Sequence, residues 1–105
     1  MNYTIKNETI VKEDSWSKTV LFNGTVISKS GKQLPCTGKL IRFKQESSVV
    51  SPGEEQLEEL RFRPHAGAAE VTAEFEYVDR AWLSGNWVWH GPQKFVDEAR
   101  NFIRS

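Results

Sequence analysis

The side chains of this chain that could act as nucleophiles or bind a transition metal are one cysteine, Cys36, and two histidines, His65 and His90. A cysteine nucleophile needs a histidine within hydrogen-bonding distance, and the spacing of these three residues does not bring them together. Zinc sites use ligands in closely spaced pairs, which this chain lacks. No run of cations surrounds Cys36 to lower its pKa. We therefore predict a buried structural cysteine, no catalytic residue and no metal site.

Carboxylates are more numerous, and a pair of them can act as general acid and base. Glu70, Glu74 and Glu76 occupy alternate positions of a predicted strand, so they share one face. They could form the solvated face of a sheet or line the docking surface of a basic partner, and the solvated face is the commoner role. The acidic residues at 54–59 have the same two interpretations. The Gly-Lys pair at 31–32 lacks the rest of a phosphate-binding motif, so we predict no enzyme and no cofactor.

Three of the four tryptophans lie close together in the C-terminal half of the chain. Trp87 and Trp89 are two positions apart, so on a strand they point the same way, and Trp82 precedes them. Tryptophan and arginine are enriched at interface hot spots, and tryptophan also stacks on nucleic-acid bases. The alternative is that the rings fill the core. The candidate binding surface predicted from the sequence consists of Arg80, Trp82, Trp87 and Trp89.

Basic residues decorate a predicted hairpin over 29–44, where they are Lys29, Lys32, Lys39, Arg42 and Lys44. They could contact nucleic acid, although no aromatic residues alternate with them and the formal net charge of the chain is zero. Residues 1–50 carry eight basic and four acidic residues, whereas residues 51–105 carry six and ten. This separation could mark a binding edge, hold two halves of one fold together, or pair two copies of the chain.

The elements that would position these residues follow from the hydrophobic pattern. Strict alternation of apolar and polar residues predicts a strand over 70–78. An apolar stripe at helical spacing, preceded by Gly91 and Pro92, predicts an amphipathic helix to about Arg104. The residues of this stripe are Phe95, Val96, Ala99, Phe102 and Ile103. We expect the stripe to pack on the apolar face of the strand.

The N-terminal half is predicted to be mostly strand, with strands at 2–6, 9–11, 18–28 and 33–45 and a turn at 29–32. Trp16 lies in a polar loop and is expected to anchor it. The strand at 18–28 is apolar on both faces, which is typical of a central strand, and Gly24 within it suggests a bulge or a close approach. Pro35 and Gly38 predict that the first half of the next strand pairs poorly or lies at an edge.

Two segments of the C-terminal half have weaker patterns. Residues 51–54 have the form of a capping box, and Leu57 and Leu60 fit one face of a helix, so we predict a short helix near 52–59 followed by a strand at 60–63. Residues 65–69 are a predicted loop between antiparallel strands. Residues 84–86 are a predicted turn between strands at 81–83 and 87–90.

These observations predict one α+β domain, an antiparallel sheet of about five strands built from hairpins with the C-terminal helix on one face. The function they favour is a small, soluble, non-enzymatic module that binds or inhibits another protein or pairs with a second copy. The first alternative is a nucleic-acid-binding accessory domain that uses the basic hairpin. The second is a ligand-binding or enzymatic domain with a tryptophan-lined pocket. No membrane span or signal peptide is apparent, which predicts a cytoplasmic protein without membrane contact.

Overall fold

The computed structural model describes residues 1–44, 53–79 and 84–105, and within them it has six strands followed by one helix. In chain order the elements are β1 (Asn2–Glu13), β2 (Ser17–Ile27), β3 (Gln33–Phe43), β4 (Glu55–Phe62), β5 (Val71–Asp79), β6 (Ser84–His90) and α1 (Gln93–Arg104). Each strand pairs antiparallel with the next, so the sheet order is β1 to β6. The predicted α+β class and the hairpin-built sheet are confirmed, with six strands where about five were expected.

One face of the sheet, the inner face, packs against α1 and holds the hydrophobic core. Residues that lie opposite one another on neighbouring strands form rows across this face, as Gly24, Cys36, Phe62 and Val71 do. Alternate residues point to it because the side-chain period of a strand is two. The buried core side chains of the sheet are Val20, Phe22, Val26, Cys36, Leu40, Leu57, Leu60, Phe62, Val71 and Ala73.

The C-terminal helix packs on the inner face through the stripe that its sequence predicts. Val96 and Ala99 are buried, and the ring of Phe102 lies 6.1 Å from that of Phe62. Phe102 is itself only partly buried. The prediction that the stripe covers the apolar face of a strand is confirmed.

The turn between β2 and β3 closes the C-terminal end of α1. The backbone N–H of Lys29 donates to the carbonyl of Ile103 at 3.1 Å, and that of Ser30 donates to the carbonyl of Ser105 at 3.0 Å. The last carbonyls of a helix lack partners within the helix, so these bonds satisfy groups that would otherwise need water. The same bonds tie the C-terminal end of α1 to the central hairpin.

The helix predicted near 52–59 is wrong where the structure describes it, because Glu55–Phe62 is strand β4. Leu57 and Leu60 are three residues apart, a spacing that resembles one face of a helix. Both reach the core because the pairing of β3 with β4 shifts register at Lys39–Leu40, which adds one residue to β4 between them. Part of the predicted capping box, 51–52, lies outside the described residues.

The prediction that the first half of the 33–45 strand pairs poorly or lies at an edge holds for residues 33–35, which among the described strands pair with β2 alone, and is wrong from Cys36 onward, where β3 pairs with both β2 and β4. Gly38 is required there by packing, since a Cβ on it would overlap the ring of Phe22. Pro35 is tolerated because the pairing of β3 with β4 begins one residue later, at Cys36. The central position predicted for β2 is confirmed.

The turn predicted at 84–86 is wrong, because these residues belong to β6. Gly85 pairs with Tyr77 and Asn86 pairs with Glu76. Glycine is needed at position 85 because a Cβ would overlap the backbone carbonyl oxygen of Glu76. The strand predicted at 81–83 lies outside the described residues, while those predicted at 2–6 and 9–11 merge into the single strand β1.

Candidate functional site

Two members of the predicted tryptophan surface lie side by side on β6. Trp87 and Trp89 are each partly buried against the core, so their rings contribute to packing and also reach the surface. Trp89 contacts the ring of Phe62 edge to face, with centroids 6.2 Å apart, and Trp87 contacts Phe75 at 5.2 Å. The other two members of that surface lie outside the described residues; they are Arg80 and Trp82.

β6 forms one edge of the sheet among the described strands. Its pairing with β5 keeps a continuous register from His90 opposite Thr72 to Gly85 opposite Tyr77. The sequence of β6, Ser-Gly-Asn-Trp-Val-Trp-His, contains no lysine, arginine, carboxylate or proline. A regular edge strand presents a row of backbone donors and acceptors that another strand can pair with.

β1, at the opposite edge, is built differently. Its pairing with β2 shifts register twice, between Ile5 and Asn7 and between Ile10 and Lys12. Bulges and charged side chains are the devices by which proteins prevent an edge strand from pairing with other chains. The charged residues of β1 are Lys6, Glu8, Lys12 and Glu13. β1 is therefore the protected edge of the sheet.

The outer face of the sheet, opposite α1, carries three carboxylates on β4 and β5, and we call them the acidic strip: Glu59, Glu74 and Glu76. Glu59 lies directly opposite Glu74 on the neighbouring strand, an arrangement that is unfavourable for like charges. Glu59 is paired with Arg61 (3.0 Å), whereas Glu74 lies 3.3 Å from Nε2 of His90 and its side chain is 60% exposed. Glu59 is therefore already compensated, and a cation placed beside β6 would pair with the exposed carboxylates of Glu74 and Glu76.

The five predicted nucleic-acid contacts are spread along the whole length of the central hairpin. Lys29 and Lys32 lie in the turn, Lys39 lies in the middle of β3, and Arg42 and Lys44 lie at its far end. Lys39 lies opposite Glu59 of the acidic strip. Lys44 donates to a carboxylate oxygen of Glu13 at 2.8 Å. The five cations therefore do not form one continuous patch, and nucleic-acid binding through them stays a prediction.

Arg42 is the centre of an ion-pair network that joins β1, β3 and β4. Its guanidinium binds both carboxylate oxygens of Glu8 at 2.9 Å and one oxygen of Glu55 at 2.8 Å. The hydrogen bonds from Arg42 hold the pKa of the Glu8 carboxyl below its ordinary value. The hydroxyl of Tyr3 donates to Glu55 at 3.3 Å, and burial, with Glu55 nearby, raises the pKa of Tyr3 to about 12. The network fixes strands and leaves Arg42 fully engaged within the protein.

Cys36 is a free, buried cysteine with 6% of its surface exposed. Burial raises the pKa of its thiol to about 11, so the reactive thiolate is scarce at neutral pH. We expect its reaction with Ellman's reagent at pH 8 to be at least about tenfold slower in the folded protein than in urea. A folded protein that reacts as fast as the unfolded chain would contradict the buried position.

The two histidines lie in different places, and each is next to a glutamate. Nε2 of His65 is 2.8 Å from a carboxylate oxygen of Glu98 on α1, and the His65 ring contacts that of Phe95. His90 lies beside Glu74 on the outer face. In the part of the chain that the structure describes, no three His, Cys, Asp or Glu residues are grouped so as to hold a metal ion.

Two cavities open on the outer face of the sheet, and of the described tryptophans neither Trp87 nor Trp89 lines them. Trp87 and Trp89 lie on the inner face, whereas Glu74 and His90 meet on the outer face. His65 lines the larger cavity, away from both tryptophans. Trp87 and Trp89 therefore do not converge with Glu74, His65 or His90 in either cavity, and a tryptophan-lined pocket stays a prediction.

Trp16 is the surface residue whose position differs most from the sequence-based expectation, because 58% of it is exposed and it does not anchor its loop. The loop is held by Asp14, whose carboxylate accepts hydrogen bonds from the backbone N–H groups of Trp16 and Ser17 at 2.7 and 2.8 Å. These bonds keep the pKa of Asp14 below its ordinary value. The carbonyl of Trp16 also accepts from the N–H of Lys44 at 2.7 Å. This loop conformation could have been predicted from Asp14, because aspartate side chains commonly accept hydrogen bonds from the backbone two residues further on.

Comparison with other proteins gives no relative: no protein-family model, curated protein sequence or solved structure matches this chain. Among the described residues, α1 is the one helix, and with 12 residues it is too short to cross a membrane.

Proposed function

We propose that this protein is a non-enzymatic interaction module that binds an extended, basic segment of a partner protein by adding it as a strand to β6. The observation that carries the proposal is the difference between the two edges of the sheet. β1 has two register shifts and four charged residues, whereas β6 is regular over Gly85–His90 and carries no formally charged side chain. In strand addition, backbone hydrogen bonds give affinity and alternate side chains give specificity.

The acidic strip supports a basic partner. A strand added to β6 would lie about 10 Å from β5, two strand spacings away. Between them on the outer face stand Asn86 and Val88, which are uncharged and shorter than lysine or arginine. A lysine or arginine on the added strand could extend across them toward Glu74 and Glu76.

The inner face of β6 supports apolar residues at the alternate positions of the same segment. Trp87 and Trp89 are only partly buried, and each already packs against an aromatic ring of its own sheet. Apolar side chains of an added strand would cover the edges of these rings. The segment that fits β6 therefore alternates basic and apolar residues.

A second copy of the chain fits β6 less well than a basic segment. Two-fold pairing of β6 with itself would bring two acidic strips into one sheet without any added cation. The buried free thiol of Cys36 is compatible with a cytoplasmic setting, which we include in the proposal.

The test is a titration of ¹⁵N-labelled protein with a ten-residue peptide of alternating lysine and valine. The matched control is a peptide in which glutamate replaces lysine. We expect the lysine peptide to shift and protect the amides of 84–90 and to bind at least about tenfold more tightly than the glutamate peptide. Equal binding of the two peptides, or shifts confined to β1 or α1, would contradict the proposal.

Variants of single carboxylates separate the acidic strip from general charge effects. Glu74→Gln should weaken binding of the lysine peptide by roughly threefold, the scale of one exposed ion pair. Asp97→Asn removes the same charge from the exposed side of α1 and should leave the affinity unchanged. If the protein dimerises with rising concentration and the β6 amides are protected without peptide, the occupant of β6 is a second copy of the chain and not a basic partner.

A further inference from the structure

The outer face of the sheet contains a trough that is separate from the free edge of β6 and that adjoins the acidic strip at Glu59. It consists of two cavities, of about 550 and 760 Å³, which share Asn23, Thr37 and Arg61. These three residues lie in register across β2, β3 and β4, so the two cavities are parts of one concave surface. The larger part has the size of a site for a small organic molecule.

The walls of the larger part carry positive charge on opposite sides. Lys6 comes from β1, at the register shift between Ile5 and Asn7, and Arg61 and Arg63 come from the end of β4 and the residue after it. Because β1 and β4 are three strand spacings apart, their backbones are about 14 Å apart, a gap that the long side chains of Lys6 and Arg61 can narrow from both sides. A ligand on that floor would have cations on both sides.

Internal contacts hold the arginines of the trough without covering them. Nη1 of Arg63 donates to the carbonyl of Ala68 at 2.9 Å, which fixes that side chain at the rim. Nη2 of Arg61 is 3.0 Å from Glu59, and 48% of the Arg61 side chain remains exposed. Among the described residues, Glu70 is the one carboxylate that lines the larger cavity, against three formal cations, and Glu59 lines the smaller one.

The floor of the trough is uncharged. It is formed by small polar and apolar groups of the central strands, among them Thr25, Pro35 and Thr37. Binding sites for small molecules combine such surfaces with a few charged groups that orient the ligand. Arginine and lysine at the walls select for a carboxylate or a phosphate.

We propose that the trough binds a small organic anion, with its carboxylate or phosphate between Lys6 and Arg61 and its compact apolar body on the floor around Pro35. This site is distinct from β6 and does not depend on the interaction proposed there. It lies on the outer face of β1 to β4, whereas the strand addition uses the free edge of β6. Either proposal can therefore fail without affecting the other.

The first experiment compares naphthalene-1-acetate with naphthalene-1-acetamide, which has the same shape and no charge, by amide chemical shifts. We expect the acetate to bind at least tenfold more tightly and to shift Asn23, Thr25, Thr37 and Arg61. The same titration with 1-naphthyl phosphate decides between the two headgroups, and tighter binding of either anion than of the amide supports the site. Equal affinities for the acetate and the amide, or shifts elsewhere, would overturn the proposal.

Substitutions then assign the binding to the trough. Arg61→Gln and Lys6→Gln should each reduce affinity for the preferred anion at least fivefold while the amide spectrum shows the fold intact. Lys29→Gln removes the same charge from the β2–β3 turn, outside the trough, and should change nothing. A loss of affinity in Lys29→Gln equal to that in Arg61→Gln would show non-specific attraction and refute the site.

Discussion

Replacing Phe62 by alanine is expected to destabilise the protein by about 3–5 kcal/mol, the cost of removing a fully buried phenylalanine. Phe62 is 2% exposed, and its ring contacts Trp89 on β6 and Phe102 on α1. Its loss leaves a cavity at the point where the sheet, the edge strand and the helix meet. Domains of this size are typically stable by about 5–15 kcal/mol, so the variant would retain little of its stability.

The measurement is urea denaturation followed by tryptophan fluorescence, with two other aromatic substitutions as controls. Phe102→Ala should cost less than Phe62→Ala because Phe102 is only partly buried. Trp16→Ala should change the free energy of unfolding by less than about 0.5 kcal/mol, since its ring is mostly exposed. A larger loss of unfolding free energy in Trp16→Ala than in Phe62→Ala would contradict the described core.

The parts of the fold that could be predicted from the sequence are those in which a local pattern is uninterrupted. The alternation over 70–78 and the helical stripe from Phe95 to Ile103 each contain the periodicity of one element, and both are found as predicted. The 52–59 prediction failed because a bulge between Leu57 and Leu60 gives a strand the spacing of a helix. One inserted residue was enough to change the apparent period.

The candidate site was predicted only in part, because its function depends on strand order. The spacing of Trp87 and Trp89 shows that they share a face, and this is what the structure has. That their strand is an edge, and that Glu59 lies opposite Glu74, depends on pairings between distant segments. Likewise, the engagement of Arg42 by Glu8 joins residues 34 positions apart, which no short-range pattern reveals.

Replacing Gly24 by alanine is the second substitution for which we expect a large effect, about 3 kcal/mol of destabilisation. A Cβ at this position would overlap the backbone carbonyl oxygen of Thr4 on β1. A side chain could rotate away, but this oxygen belongs to the paired backbone of the β1–β2 ladder, in which Gly24 faces Ile5. The methyl group can therefore be accommodated only if β1 moves away from β2.

The control is Gly67→Ala, because the new Cβ there would lie 3.6 Å from Nδ1 of His65, an ordinary contact. Alanine also reduces the conformational freedom of the unfolded chain, so this variant should be neutral or more stable by about 0.4–1 kcal/mol. Denaturation in urea gives the two free energies, and hydrogen exchange shows where structure is lost. In Gly24→Ala, faster exchange at 2–5 with little change in β4 and β5 would mean that β1 separates locally. Equal stability of the two variants would contradict the close approach of β1 to Gly24.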